Sequence, residues 1–153
     1  MGAGLGYIRT PRQGLSCQPT HRQHEGRSRH PCPHSASTPS LARRPHPLWS
    51  AAWNTPNPPD FSRILPRSLA HIGAYHDNRL VGFGNVAWDG GIHAFLLDTC
   101  VHPDMRRQGI ATQLVREAMR TARERGAEWL HVDFEPHLTS FYRACSFRPT
   151  WAS

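Results

Sequence analysis

The stretch from Val101 to Gly126 constrains this chain more than any other. An apolar, β-like run ends in Val101-His102-Pro103, and the turn Arg106-Arg107-Gln108-Gly109-Ile110-Ala111 follows. From there an apolar stripe repeats at helical spacing. Ile110, Leu114, Val115, Ala118, Met119 and Ala122 share one face, and Arg116, Arg120, Arg123 and Glu124 cover the rest. Gly126 is a suitable stop, because glycine accepts the left-handed backbone that ends many helices. A strand, a glycine-containing turn and a helix leave backbone N–H groups free at the positive end of the helix dipole. That arrangement suits a pyrophosphate.

The elements around this stretch point to an α/β fold. Residues 71–76, 80–88 and 92–101 read as strands. Asp77-Asn78-Arg79 and Asp89-Gly90-Gly91 join them as hairpin turns, the second through glycines that tolerate positive φ. Downstream, Leu130, Val132 and Phe134 alternate with His131 and Asp133, and Pro136 ends that run. A short helix is expected over 138–145, with a last strand opening at Phe147. A strand, a crossover helix and a strand make a parallel pair. The fold predicted is a mixed sheet: an antiparallel β-meander, then a β-α-β-α-β segment with a central parallel strand pair. Before the meander, residues 48–53 can form one or two helical turns. Asp60 can cap a short helix that Pro66 disturbs.

The charge is unevenly distributed. Residues 1–59 carry seven Arg, ten Pro and a single acid, Glu25, for a net +6, whereas residues 60–153 are nearly balanced at +1. The first 47 residues show no sustained hydrophobic period, so 1–47 are expected to form a disordered Pro/Arg/His-rich arm and 48–153 the folded domain. A solvated arm is the favoured reading over a nucleic-acid-binding one. Basic residues are all Arg or His with no Lys, which suggests a GC-rich, bacterial coding sequence. Cys17, His21, His24, His30, Cys32 and His34 match no common zinc spacing, and no metal is expected. No run approaches a membrane span and no secretory leader is visible, so a cytoplasmic protein with free thiols is the expectation.

Two motifs, about 35 residues apart, resemble the GNAT superfamily of N-acetyltransferases. The first is the strand Phe95-Leu96-Leu97-Asp98-Thr99-Cys100-Val101 with the turn Arg106-x-x-Gly109-x-Ala111. The second is the strand over 129–134 followed by Phe141-Tyr142-Arg143-Ala144-Cys145-Ser146-Phe147, with Ser146 where the family usually has Gly. The resemblance covers about 48–151 and is strongest over 80–149. It implies acetyl-CoA as cosubstrate, with a small-molecule or protein amine as acceptor. It places the pantetheine arm along Thr99, Cys100 and Val101. It places the pyrophosphate on Arg106, Arg107, Gln108, Gly109, Ile110, Ala111 and Thr112. Gly109 and Ala111 would be small to permit close approach. Tyr142 matches the family's general acid, which protonates the departing thiolate.

The base that takes the amine's proton is left between Asp98 and Glu135. Asp98 lies one step before the pantetheine strand pair. Glu135 sits at the end of the parallel strand, where the family often has Asn. His131, Asp133 and Glu135 share a face if that strand is regular, so at least one should line a cleft. Cys100 and Cys145 read as buried fillers rather than nucleophiles.

The family also has a first strand before the helix near Leu48 and a fuller last strand after Trp151. Tyr7-Ile8-Arg9 is a poor candidate for the first strand, because a long structureless loop would have to intervene. Open sheet edges would favour a homodimer. The alternatives to an N-acetyltransferase are therefore a truncated, inactive remnant and a nucleic-acid-binding module.

Overall fold

Alternation and turn chemistry produce the meander. In a computed structural model that describes residues 4–9 and 45–149, strands β2 (Ala70–His76), β3 (Arg79–Trp88) and β4 (His93–Val101) pair antiparallel in succession. Asp77 and Asn78 take positive φ in the first hairpin turn and Gly90 in the second. In that second turn Asp89 Oδ1 accepts from the Gly91 and His93 N–H groups.

Helix α3 (Ile110–Glu124) crosses from β4 to strand β5 (Trp129–Phe134), which pairs parallel with β4. Gly126, at φ +97°, ends α3 as expected: its N–H reaches Arg123 O, and the Ala127 N–H reaches Ala122 O. Helix α4 (Thr139–Ala144) follows β5 and ends in the same pattern, with Ser146 N–H on Arg143 O and Phe147 N–H on Tyr142 O. Ser146 must therefore adopt φ +71°, a conformation that is costly for any residue with a Cβ. Ser146→Gly should raise unfolding stability by about 1 kcal/mol. The check is the denaturant midpoint at constant slope, and an unchanged midpoint would mean that the left-handed turn is not strained.

Strand β1 (Gly4–Arg9) corrects the sequence expectation. It lies inside the sheet, antiparallel to β5 from Gly4↔Phe134 to Arg9↔Trp129, with strand β6 (Arg148–Pro149) on its other side. The sheet order is β2-β3-β4-β5-β1-β6. Residues 4–9 are thus not part of an arm. A short strand gains its stability from a partner far away in sequence, which no local signal reveals. Helix α1 (Pro45–Trp53) begins three residues before the expected domain start. The Cys17–His34 region lies outside the described residues.

Both faces of the sheet are covered, but unequally. On one face α3 and α4 close a core of Val86, Leu96, Val115, Leu130, Val132 and Phe134. Gly82 admits α3 there; a Cβ on it would stand 2.9 Å from Ile110 Cγ2. On the other face α1 and α2 (Phe61–Ile64) pack Leu48, Phe61 and Leu65 onto Leu80, Phe83 and Cys100. Asp60 caps α2 by accepting from the Ser62 N–H at 3.1 Å. This second layer stops short, leaving Phe95 41% and Leu97 40% exposed on the central strand β4.

Candidate active site

The site begins where β4 and β5 part. Their parallel register runs from His93↔Trp129 to Leu96↔Val132, and β4 then continues to Val101 paired only with β3. The cause is local. Phe83 faces Cys100 and Asn85 faces Leu97, so Gly84 alone opposes both Asp98 and Thr99. This bulge carries Asp98 at φ +56°. The backbone of 97–101 that would continue the ladder toward β5 is thereby left as an edge.

Tyr142 stands across this opening. It is 5% exposed, stacked on Phe134 at 4.6 Å and edge-on to Phe141 and Phe147. Burial raises its pKa, and the facing Thr99 hydroxyl acts more weakly in the opposite sense. Thr99 Oγ1 is itself buried with no partner at hydrogen-bonding geometry. The two hydroxyls therefore face each other across the gap without closing a bond, and the phenol stays protonated at neutral pH.

The turn before α3 forms a cradle of backbone donors. Arg107 and Gly109 both take left-handed φ, +64° and +78°, just before the helix starts. Gly109 caps α3 without a side-chain bond, and the first helical bond is Gln113 N–H to Gly109 O at 3.1 Å. The Ile110, Ala111 and Thr112 N–H groups therefore lack intrahelical acceptors. Gly109 is required here for its φ rather than for protein crowding, since a Cβ on it would meet nothing within 4 Å. Gln108 is exposed beside Met105. The Arg106 guanidinium fastens the turn to α1: Nη2 donates to Ala52 O at 3.3 Å and Nε to Val101 O at 3.4 Å.

The two candidate bases differ sharply. Asp98 is half-buried; burial raises its pKa, opposed by a hydrogen bond from Asn85. Glu135 lies beyond the end of β5, its side chain 71% exposed and 3.2 Å from His137. Of its expected face-mates, Asp133 is exposed, whereas His131 is half-buried and bonded to His93 (Nε2 to Nδ1, 2.8 Å). Burial and then His93 lower the His131 pKa against a smaller pull from Asp89.

Cys100 sits in the second core, where burial and then Asp98 push its thiol up to about 12. Burial also raises Cys145. Both are neutral fillers at ordinary pH. Among the described residues no group of three or more His, Cys, Asp or Glu side chains could hold a metal, and no helix is long and apolar enough to cross a membrane.

The sequence reading passed over Asn85. It is 1% exposed on β3, and its Oδ1 has no partner. An amide in an otherwise apolar central strand was the available signal, because a buried polar group without full hydrogen bonding costs about 1–3 kcal/mol. Here it stands across the bulge from Asp98.

Relatives share this architecture. Residues 38–147 match the acetyltransferase (GNAT) family. A mycothiol acetyltransferase of Nocardia farcinica is 35% identical over 68 residues, 44% of this chain and 22% of that protein. An uncharacterised ycf52-like N-acetyltransferase of Prochlorococcus marinus is 28% identical over 101 residues, 63% of this chain and 56% of that protein. The chain thus spans between about a fifth and just over half of these two curated relatives. A GNAT-family acetyltransferase structure from Streptococcus pneumoniae superposes with a TM-score of 0.60 at 26% identity, covering 69% of this chain and 78% of that one. With the parted parallel strands, the donor-lined turn and the strand–helix carrying Tyr142 all in family order, this chain belongs to the acetyltransferase (GNAT) family.

Proposed function

We propose that this domain transfers an acetyl or other short acyl group from acetyl-CoA to a primary amine by direct attack. The observation that carries this reading is the Tyr142 phenol facing Thr99 where β4 leaves β5. Three features fit the cosubstrate: the unpartnered Thr99 Oγ1, the free ladder edge of 97–101 and the uncapped start of α3. Acetyl-CoA supplies an activated thioester. Thr99, Cys100 and Val101 would line its pantetheine arm, and the N–H groups from Arg107 to Thr112 would take its pyrophosphate. Arg106 holds the turn in place.

The α3/α4 face is closed by the core, so the acceptor enters from the α1/α2 face, where Phe95 and Leu97 are exposed. An alkyl ammonium must lose a proton before it can attack. Asp98 is the base at that entrance, held by Asn85. Tyr142 delivers a proton to the departing sulfur from the other side. Glu135, out in solvent with His137, is the weaker candidate.

The test is the pH profile of kcat/KM. Because the Asp98 pKa is raised, its carboxylate is lost as pH falls through a value above the ordinary carboxylate range, and activity should fall with it. Asp98→Asn should lower kcat/KM by about 10²–10⁴-fold and remove that acidic limb, with partial recovery at high pH where free amine accumulates. An unchanged limb in Asp98→Asn would assign the base elsewhere.

A further inference from the structure

We infer that the acceptor is a primary amine on an apolar, ring-sized body that carries no phosphate or carboxylate. This rests on the acyl-transfer reading above and specifies its substrate class. The ground is the uncovered strip of β4. An interior strand of a six-stranded sheet normally has both faces packed, yet Phe95 and Leu97 are 41% and 40% exposed beside the point where the strands part.

The strip is rigid. Phe95 lies on His131 with ring centroids 5.0 Å apart and a 25° interplanar angle, and His131 lies on His93 at 5.1 Å and 29°. The His93–His131 hydrogen bond locks that stack. Trp53, at the end of α1, is 48% exposed and lies beside the Cys100 thiol, two residues on from Asp98. Aromatic groups thus lie on both sides of Asp98 along the chain, an arrangement that receives an ammonium and the apolar group next to it.

Charge selects against anionic acceptors. Asp98 and the exposed Asp133 are the acids at the strip, with Asp89 at the far hairpin. Arg106 keeps its charge near Cys100 while its guanidinium donates to the Ala52 and Val101 carbonyls, so one cation stands against these two carboxylates. Arg63 and Arg67 are exposed on and just after α2, Arg79 is bonded to His102, and Arg116, Arg120 and Arg123 lie on α3 across the sheet. Arg9 of β1 is in register with Trp129, at the end of β5 away from Asp98.

The test uses the full chain with acetyl-CoA, reading thiol release with 2-phenylethylamine and with glucosamine 6-phosphate. Phenylethylamine should be the better acceptor by at least about tenfold in kcat/KM. Phe95→Ala should raise its KM about tenfold, and Leu97→Lys should weaken it further while improving the sugar phosphate. Phe95→Ala should leave the KM for acetyl-CoA unaltered. Both side chains are partly exposed, and a retained acetyl-CoA thermal shift verifies folding. A preference for the sugar phosphate, or variants that leave the two acceptors in the same ratio, overturns the inference. So does no turnover of either amine in a chain that acetyl-CoA stabilises. No stabilisation by acetyl-CoA overturns the acyl-transfer reading itself, and this inference with it.

Discussion

Gly109→Glu should abolish the rise in melting temperature that acetyl-CoA gives the unmodified chain. A ligand at a hundred times its dissociation constant stabilises a protein by about 2.7 kcal/mol, so the shift to be lost is large. The substitution acts in two ways. It places a carboxylate among the N–H groups at the start of α3, where the pyrophosphate would otherwise sit. It also forces a residue with a Cβ into φ +78°, which costs about 1–2 kcal/mol. Gly109→Ala separates these effects, since it carries the backbone cost without the charge and meets no protein atom within 4 Å. The alanine variant should melt lower yet still respond to acetyl-CoA. If the glutamate variant responds as fully as the parent, the turn is not the anion site.

Tyr142→Phe should lower kcat by about 10²–10⁴-fold while leaving the KM for acetyl-CoA nearly unchanged. The ring keeps its contacts with Phe134, Phe141 and Phe147, so stability should change little. The hydroxyl matters only as charge develops on sulfur. Its pKa is raised, so the phenol loses its proton only above the ordinary tyrosine range and should add no alkaline limb near neutrality. A loss of tenfold or less would mean that water protonates the sulfur. A collapse of the thermal transition would make the hydroxyl structural, and its unclosed approach to Thr99 would then need another account.

The elements that were legible from the sequence are those whose signals are local. Helix α3 followed from its apolar stripe and Gly126, the meander from alternation and glycine turns, and the parallel pair from the length and helical character of its crossover. The motif resemblance marked Tyr142 and the Gly109 turn. Ser146 was flagged as unusual, and its left-handed φ shows why glycine is the easier residue there.

What escaped depends on contacts between distant segments. Strand β1 has only six residues, and its place is set by β5, more than a hundred residues away. The roles of Arg106, Asp98 and Glu135 were equally undecidable from spacing. Arg106 donates to the last turn of α1, a partner far away in sequence. Asp98 turned into the sheet through a bulge that violates simple alternation, opposite an Asn85 whose amide only the pairing register brings to it. Glu135 sits past the last paired residue of its strand, where nothing draws its charge out of water. Sequence by itself determined the meander, helix α3 and the parallel strand pair, because those follow from backbone propensity and periodicity. Only the tertiary structure decided which polar groups are buried at the parting of β4 and β5 and which sheet face stays open. Burial and strand register are properties of the assembled sheet, and no short segment encodes them.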